Sequence, residues 1–237
     1  MELAVDESPL DQMALVVSDG EPVGSLTFDE LDEEKGELSN CVDAIRLDRL
    51  VTDDMPLMQA VKMFAEGDAK YLYVISGSKL VGSLSYRDLF KLPFRLCLFA
   101  ELLSIEERML SIIQRDAAKC FSQVPPHRRQ LALNTYARRK YERDKFGNPY
   151  PQRLVACTCF MDKKLMILES PLAVDISAVS EQLHMDFAER LRNDLAHASA
   201  DADPVILVEQ EKLGPFLSWL DRLDTQLNRV LLSTSST

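Results

Sequence analysis

Apolar and polar residues alternate twice within the first ninety positions, and the two alternating stretches are copies of each other. "VVSDGEPVGSLTFDEL" (16–31) and "VISGSKLVGSLSYRDL" (74–89) align without gaps at an offset of 58. Both contain V-G-S-L followed by Thr or Ser, and both end in an acidic residue and leucine. Alternation on either side of "SDGEP" or "SGSK" predicts a strand, a polar turn and a second strand. The hydroxyl of Thr27 or Ser85, followed by acids, predicts a helix N-cap. A repeat this close marks a duplicated supersecondary unit. Ahead of the second copy, "DDMPLMQAVKMFAEGDAK" reads as a short helix, with Asp54 as its cap, Pro56 in its first turn and Gly67 as its stop.

Past Pro93 the period changes to that of a helix. The segment 94–118 carries Leu98, Leu102, Ile105, Met109, Ile112 and Ile113 at helical spacing. A second helix is predicted over 128–146, between the turn "QVPPH" and the breaker "GNPYP", and a third over 152–169. The fourth, 176–198, aligns Ile176, Val179, Leu183, Phe187, Leu191 and Leu195 on one stripe. The fifth spans 211–232, kinked or begun near Pro215, and the tail "STSST" is expected to fray. The fold class that follows is α+β: strand-rich repeats over 1–93, then an all-α up-and-down bundle over 94–237.

Composition agrees with a globular chain of one large or two small domains: 237 residues, 46% hydrophobic, 27% charged, with only 8 glycines. A net charge of −11 excludes a protein coated in positive charge for bulk nucleic-acid binding, though not a local basic patch. Charge is uneven. The first forty residues hold twelve acids and one lysine. The helix over 128–146 holds Arg128, Arg129, Arg138, Arg139, Lys140, Arg143 and Lys145, with Tyr136 and Tyr141 between them. Interleaved basic and aromatic residues suit single-stranded nucleic acid, which makes Arg128, Arg129, Arg138, Arg139 and Lys140 candidate RNA contacts. A solvated helix face has the same composition. An acidic N-terminus covering this helix until a ligand displaced it would make activity strongly salt-dependent.

No stretch approaches the length of a membrane span, and "MELAVDESPLDQ" lacks the basic and apolar regions of a secretory signal, so a cytoplasmic protein without membrane contact is expected. Five cysteines, with no CxxC pair, read as reduced and mostly buried thiols. His127, His184 and His197 share no ligand spacing with each other or with the cysteines, so no metal is expected. No glycine-rich phosphate loop and no G-S-x(n)-D-x-D pattern supports nucleotidyl transfer.

The β-α-β-β-α order ending in "LVGSLSYRDLF" resembles the CBS (cystathionine-β-synthase) domain family over about residues 10–93. That resemblance implies paired repeats with adenine nucleotide bound in the clefts between them, here regulatory AMP, ADP or ATP. Its S/T-x-x-D falls on Ser85 and Asp88, for phosphate and ribose respectively. Gly82 would allow close backbone approach, and Thr52 lies where backbone and hydroxyl contacts fall. The chemistry is sound, since a carboxylate accepts ribose hydroxyls and a helix N-terminus favours phosphate. The first copy departs from the pattern: Glu30 replaces the aspartate, and the strand and helix that should precede residue 13 are missing.

Near the end of the fourth helix, "LRNDLAHAS" (191–199) places Arg192, Asn193 and His197 as R-N-x-x-x-H. In an all-helical setting this resembles the HEPN (higher eukaryotes and prokaryotes nucleotide-binding) family over about residues 94–232, with Glu101 or Glu106 at its acidic positions. The resemblance implies a homodimeric, metal-independent endoribonuclease of toxin or defence type that needs no catalytic cofactor. Histidine near its ordinary pKa would move protons to and from the 2′-hydroxyl and leaving oxygen, while arginine stabilises the phosphorane. Asn193 would orient the histidine or hold phosphate. Asn193 and His197 share a helix face, whereas positions 192 and 197 lie about 140° apart. One helix therefore assembles the site only if it ends before His197, or if a partner copy supplies a second motif. The alternative is a non-catalytic nucleotide sensor whose bundle serves dimerisation or partner docking. Either way, coupling between the halves would run through "FKLPFRLCLF" (90–99).

Overall fold

The computed structural model describes residues 2–5, 13–19, 21–27, 42–67, 69, 71–146, 153–168, 176–197 and 210–233. The chain divides into two compact units, Met1–Phe94 and Arg95–Thr237.

The first unit holds two sheets. Strands β1 (Glu2–Val5), β2 (Met13–Ser18), β3 (Glu21–Thr27) and β4 (Asp43–Ala44) form one, in that order, with every pairing antiparallel. Strands β5 (Leu50–Thr52), β6 (Tyr71–Ser76) and β7 (Lys79–Ser85) form the other, with β5 parallel to β6 and β7 antiparallel to it. The sequence repeat is a structural repeat down to its irregularities. Val16 faces Gly24 and Val17 faces Pro22 across a register shift, as Val74 faces Gly82 and Ile75 faces Leu80 across another. Each hairpin loop begins at a left-handed residue, Asp19 (φ 53°) in one copy and Gly77 (φ 62°) in the other. Positive φ at that place is what two-residue hairpin turns require.

The copies differ in what precedes the hairpin. Helix α1 (Leu57–Glu66) carries the chain from β5 to β6 as the crossover that a parallel pair needs. Its N-cap is Pro56 rather than Asp54, which lies in the turn ahead, and Gly67 is its C-cap. In the first copy a strand does precede residue 13, contrary to expectation. It runs antiparallel, because the seven residues 6–12 are too few for a helical crossover. The helix start expected after Thr27, with Glu30, lies outside the described residues.

The second unit is helical. Helix α2 (Leu92–Ile113), which begins in the first unit, buries all six apolar positions expected of it: Leu98, Leu102, Ile105, Met109, Ile112 and Ile113. A short 3-10 turn leads to α3 (Ala117–Ser122), followed by α4 (Pro126–Phe146). The third helix is not continuous. Leu154–Cys157 form a 3-10 turn, and α5 spans only Phe160–Leu168. The Thr158 hydroxyl donates back to the Val155 carbonyl (2.6 Å), and the Asp162 carboxylate accepts the Cys159 N–H (3.2 Å). These side-chain bonds stop one helix and start the next.

The fourth helix is interrupted in the same way. Ser177–Ser180 form a 3-10 turn, and α6 begins at Gln182 and runs to His197. Trp219 of α7 (Gln210–Ser233) donates its indole N–H to the Ala178 carbonyl (2.9 Å), while the Gln226 amide oxygen accepts the Ala178 N–H (3.0 Å). With its backbone groups claimed from outside, the turn cannot join the helix, and the apolar phase restarts. Leu183, expected on the buried stripe, is 75% exposed, and the buried face is Met185, Ala188 and Leu191. Helix α7 supplies Leu213, Phe216, Leu217, Trp219, Leu223, Leu227 and Val230 to the core and continues through Pro215. Of the described cysteines only Cys120 is buried, fewer than expected; Cys97 and Cys157 are half-buried and Cys159 is exposed. Among the described residues, no helix is long and apolar enough to cross a membrane.

Candidate functional site

Two places hold the sequence's candidate residues. The first lies at the end of β7. Ser85 caps a five-residue 3-10 turn, Tyr86–Phe90, in place of the expected longer helix. Asp88 Oδ2 accepts both the Ser85 N–H (2.5 Å) and the Ser85 hydroxyl (3.1 Å), and Lys91 Nζ lies 2.5 Å from Asp88 Oδ1. The pair is a closed capping box whose carboxylate is already in use. Tyr86 stands behind it, edge-on to Phe64 and Phe90, with its hydroxyl buried and, among the described residues, without a hydrogen-bond partner. Burial pushes the Tyr86 phenol up to about 12.

Thr52 and Gly82 do not join Ser85 and Asp88. Thr52 pairs with Ile75 and Gly82 with Val74, whereas Ser85 pairs with Tyr71 at the other end of β6. Thr52 is set back from that end by four residues of strand, about 13 Å, and Gly82 by three, about 10 Å.

Residues 49–94 match the CBS domain family. The match covers β5, α1, the β6–β7 hairpin and the Ser85–Asp88 turn, which makes this stretch a CBS domain built on the second repeat. No curated protein and no solved structure matches the chain.

The second place lies among α2, α5 and α6. Arg192 Nε sits 3.5 Å from Glu106 Oε2, and Arg192 also donates to the Asn193 side-chain oxygen (3.2 Å). Lys163 Nζ donates to Glu106 Oε1 (2.8 Å) and to the Thr158 carbonyl (2.6 Å). Three of the sequence candidates, Arg192, Asn193 and Glu106, therefore converge, while Glu101 is exposed. Helix α6 includes position 197, so it does not end early enough to bring Arg192 and His197 together. The His197 side chain lies outside the described residues.

Lys163 is the residue that sequence reasoning missed. "DKK" inside a helix looks solvated, yet Asp162, Lys163 and Lys164 are all buried. Successive helical positions turn about 100°, so these three address three different neighbours. Asp162 meets Arg128 Nε of α4 (2.7 Å), Lys163 meets Glu106 of α2, and Lys164 donates to Gln182 of α6, with Asp186 at 3.9 Å. Burial holds the Lys164 ammonium below the usual lysine range, against the pull of Asp186 and Glu189.

The basic helix divides along the same lines. The Arg128 guanidinium is engaged by Asp162 and Cys159, and Arg129 is half-buried. Arg138, Arg139 and Lys140 are exposed beside Tyr141, over whose ring Lys145 Nζ sits at 6.0 Å. Much of the acidic N-terminus that was expected to cover this helix, including residues 28–41, lies outside the described residues.

Proposed function

We propose that this protein is an adenine-nucleotide sensor whose CBS domain holds the ligand at Ser85 and Asp88. The observation that carries the reading is the capping box at the end of β7, inside the stretch that matches the CBS family. Ligand ribose hydroxyls take the place of the Ser85 donors on Asp88, and the exposed Lys91 ammonium exchanges the carboxylate for phosphate. Carboxylate-to-hydroxyl and ammonium-to-phosphate bonds are charge-assisted, and so compensate the internal bonds they displace. Thr52, four residues away along the sheet, and Gly82, in the middle of β7, are not needed for this grip. Calorimetric titration with AMP, ADP and ATP tests it. Saturable binding that weakens at least about tenfold in Asp88→Asn supports the assignment. No binding to any of the three at millimolar ligand would overturn it.

A second reading rests on the convergence of Arg192, Asn193 and Glu106: the helical half is a metal-independent endoribonuclease acting as a homodimer. The single helix carrying positions 192 and 197 requires a second copy to complete the site, and Arg138, Arg139 and Lys140 would hold the RNA. Asn193 accepts a hydrogen bond from the guanidinium and the Glu106 carboxylate lies 3.5 Å from it, which orients it to receive the negative charge of the phosphorane. The test is cleavage of mixed tRNA and mRNA in EDTA, with and without AMP or ATP, beside His197→Ala. Fragments ending in 2′,3′-cyclic phosphate that vanish in the variant would establish the nuclease, and a nucleotide effect on their rate would join the two halves. Absence of cleavage leaves the sensor with a bundle that docks a partner.

A further inference from the structure

Gly24 and Gly82 hold the same place in the two repeats, in the same register and beside the same bulge. At Gly24 the strand edge is taken. Strand β4 lies antiparallel on β3, with Gly24 opposite Ala44 and Ser25 opposite Asp43. The approach is close enough that a β-carbon on Gly24 would stand 2.4 Å from the Val42 side chain and 2.5 Å from the Asp43 carbonyl oxygen. Among the described residues, a β-carbon at Gly82 would meet nothing within 4 Å and β7 ends its sheet.

An open strand edge is a row of unused backbone donors and acceptors, which proteins ordinarily blunt with charge, proline or cover. Strand β7 reads K-L-V-G-S-L-S; its one charge, Lys79, stands at the end, and Val81 in the middle is 57% exposed. Glycine inside a strand weakens it and is at home where another backbone comes close. The first repeat shows what that backbone is: an antiparallel extended segment.

We propose that β7 of one copy pairs antiparallel with β7 of a second copy, about a two-fold axis at Gly82, joining two three-stranded sheets into one. A two-fold contact is self-complementary, and this register is free of conflict. Leu80 of one copy faces Leu84 of the other, Val81 faces Ser83, and Lys79 faces Ser85 rather than another lysine. The pairing does not depend on the nucleotide or the ribonuclease reading.

Sedimentation equilibrium over a concentration series, with hydrogen exchange on the β7 amides, tests the pairing. The wild type is expected to dimerise, with protection at Val81–Ser83 rising with concentration. Gly82→Val fits the open space of a single copy but not a seated strand, and Val81→Lys adds like charge to an exposed position. Each is expected to raise the dissociation constant at least about tenfold, with the melting temperature of the monomer kept. A wild type that stays monomeric, or a dimer indifferent to both substitutions, would overturn the proposal. So would β7 amides protected only when a foreign extended peptide is added.

Discussion

The Ser25 hydroxyl and the Tyr73 phenol lie 2.6 Å apart, both buried, and bind the sheet of the first repeat to that of the second. Under the offset of 58, the pseudo-equivalent pair is Leu15 and Ser83, which cannot make this bond. The duplicated unit has thus become asymmetric at its own centre. Tyr73→Phe strands a buried hydroxyl and should cost about 1–3 kcal/mol in urea denaturation. The double variant with Ser25→Ala should recover part of that loss, because both partners are then apolar. Strictly additive losses would show the bond to be incidental.

The paired glycines make a matched experiment. Gly24→Ala puts a methyl group into the backbone of β4 and should destabilise the protein by several kcal/mol, on the order of 2–4. In a single copy Gly82→Ala meets open space, so at concentrations where the chain is monomeric it should be neutral, or stabilising by about 0.5 kcal/mol, through the unfolded chain. Equal effects at both positions in thermal melts would contradict the difference between the two edges.

Tyr86 carries a buried hydroxyl that has no partner among the described residues. Removing it with Tyr86→Phe should stabilise the fold by about 1 kcal/mol near neutral pH. The pH dependence follows from its raised pKa. The phenol ionises at 10.0 in the unfolded chain and at about 12 in the folded one. Its contribution is fully present below pH 10 and is lost as pH rises through 12. Denaturation of wild type against Tyr86→Phe across that window should show the wild type losing ground, and parallel curves would count against the buried phenol.

Lys163 and Lys164 are neighbours with opposite expectations. Lys163→Met leaves Glu106 buried with Arg192 alone, at a distance too long for a good bond, and should cost about 3 kcal/mol. Lys164→Met removes an ammonium whose partner Gln182 is exposed and whose charged form burial disfavours. It should be neutral, or stabilising by about 1 kcal/mol. Because the Lys164 pKa is lowered, the folded state sheds that proton first. Wild-type stability should then rise with pH through the alkaline window below 10.5, a slope absent from Lys164→Met. Guanidinium midpoints for both variants would settle the contrast.

Local pattern was enough where packing is local. The six apolar positions of α2 recur at helical spacing and are all buried, and the repeated strand–turn–strand pattern is a hairpin in both copies. Pattern failed where a distant residue seizes the backbone. Nothing in residues 176–182 announces that Trp219 and Gln226 will claim Ala178, so Leu183 reads as core and lies in solvent. Likewise, Lys163 and Glu106 are 57 residues apart, and no period links them. Of the candidate sites, the Ser85–Asp88 box was legible because its bonds close within four residues. The Arg192 cluster was only half legible, since its lysine arrives from another helix.

The three consecutive charges of α5 also bear on the order in which this half of the protein folds. Nine residues are too few to persist as an isolated helix in water. Asp162, Lys163 and Lys164 lose their hydration only where α4, α2 and α6 already offer partners. Helix α5 should therefore gain structure after its neighbours have met, with substitutions in it quickening unfolding and leaving the folding rate nearly unchanged. A segment that docks last is also the first to leave, so the earliest opening of the helical unit is expected at Phe160–Leu168, the segment onto which the Glu106–Arg192 cluster closes.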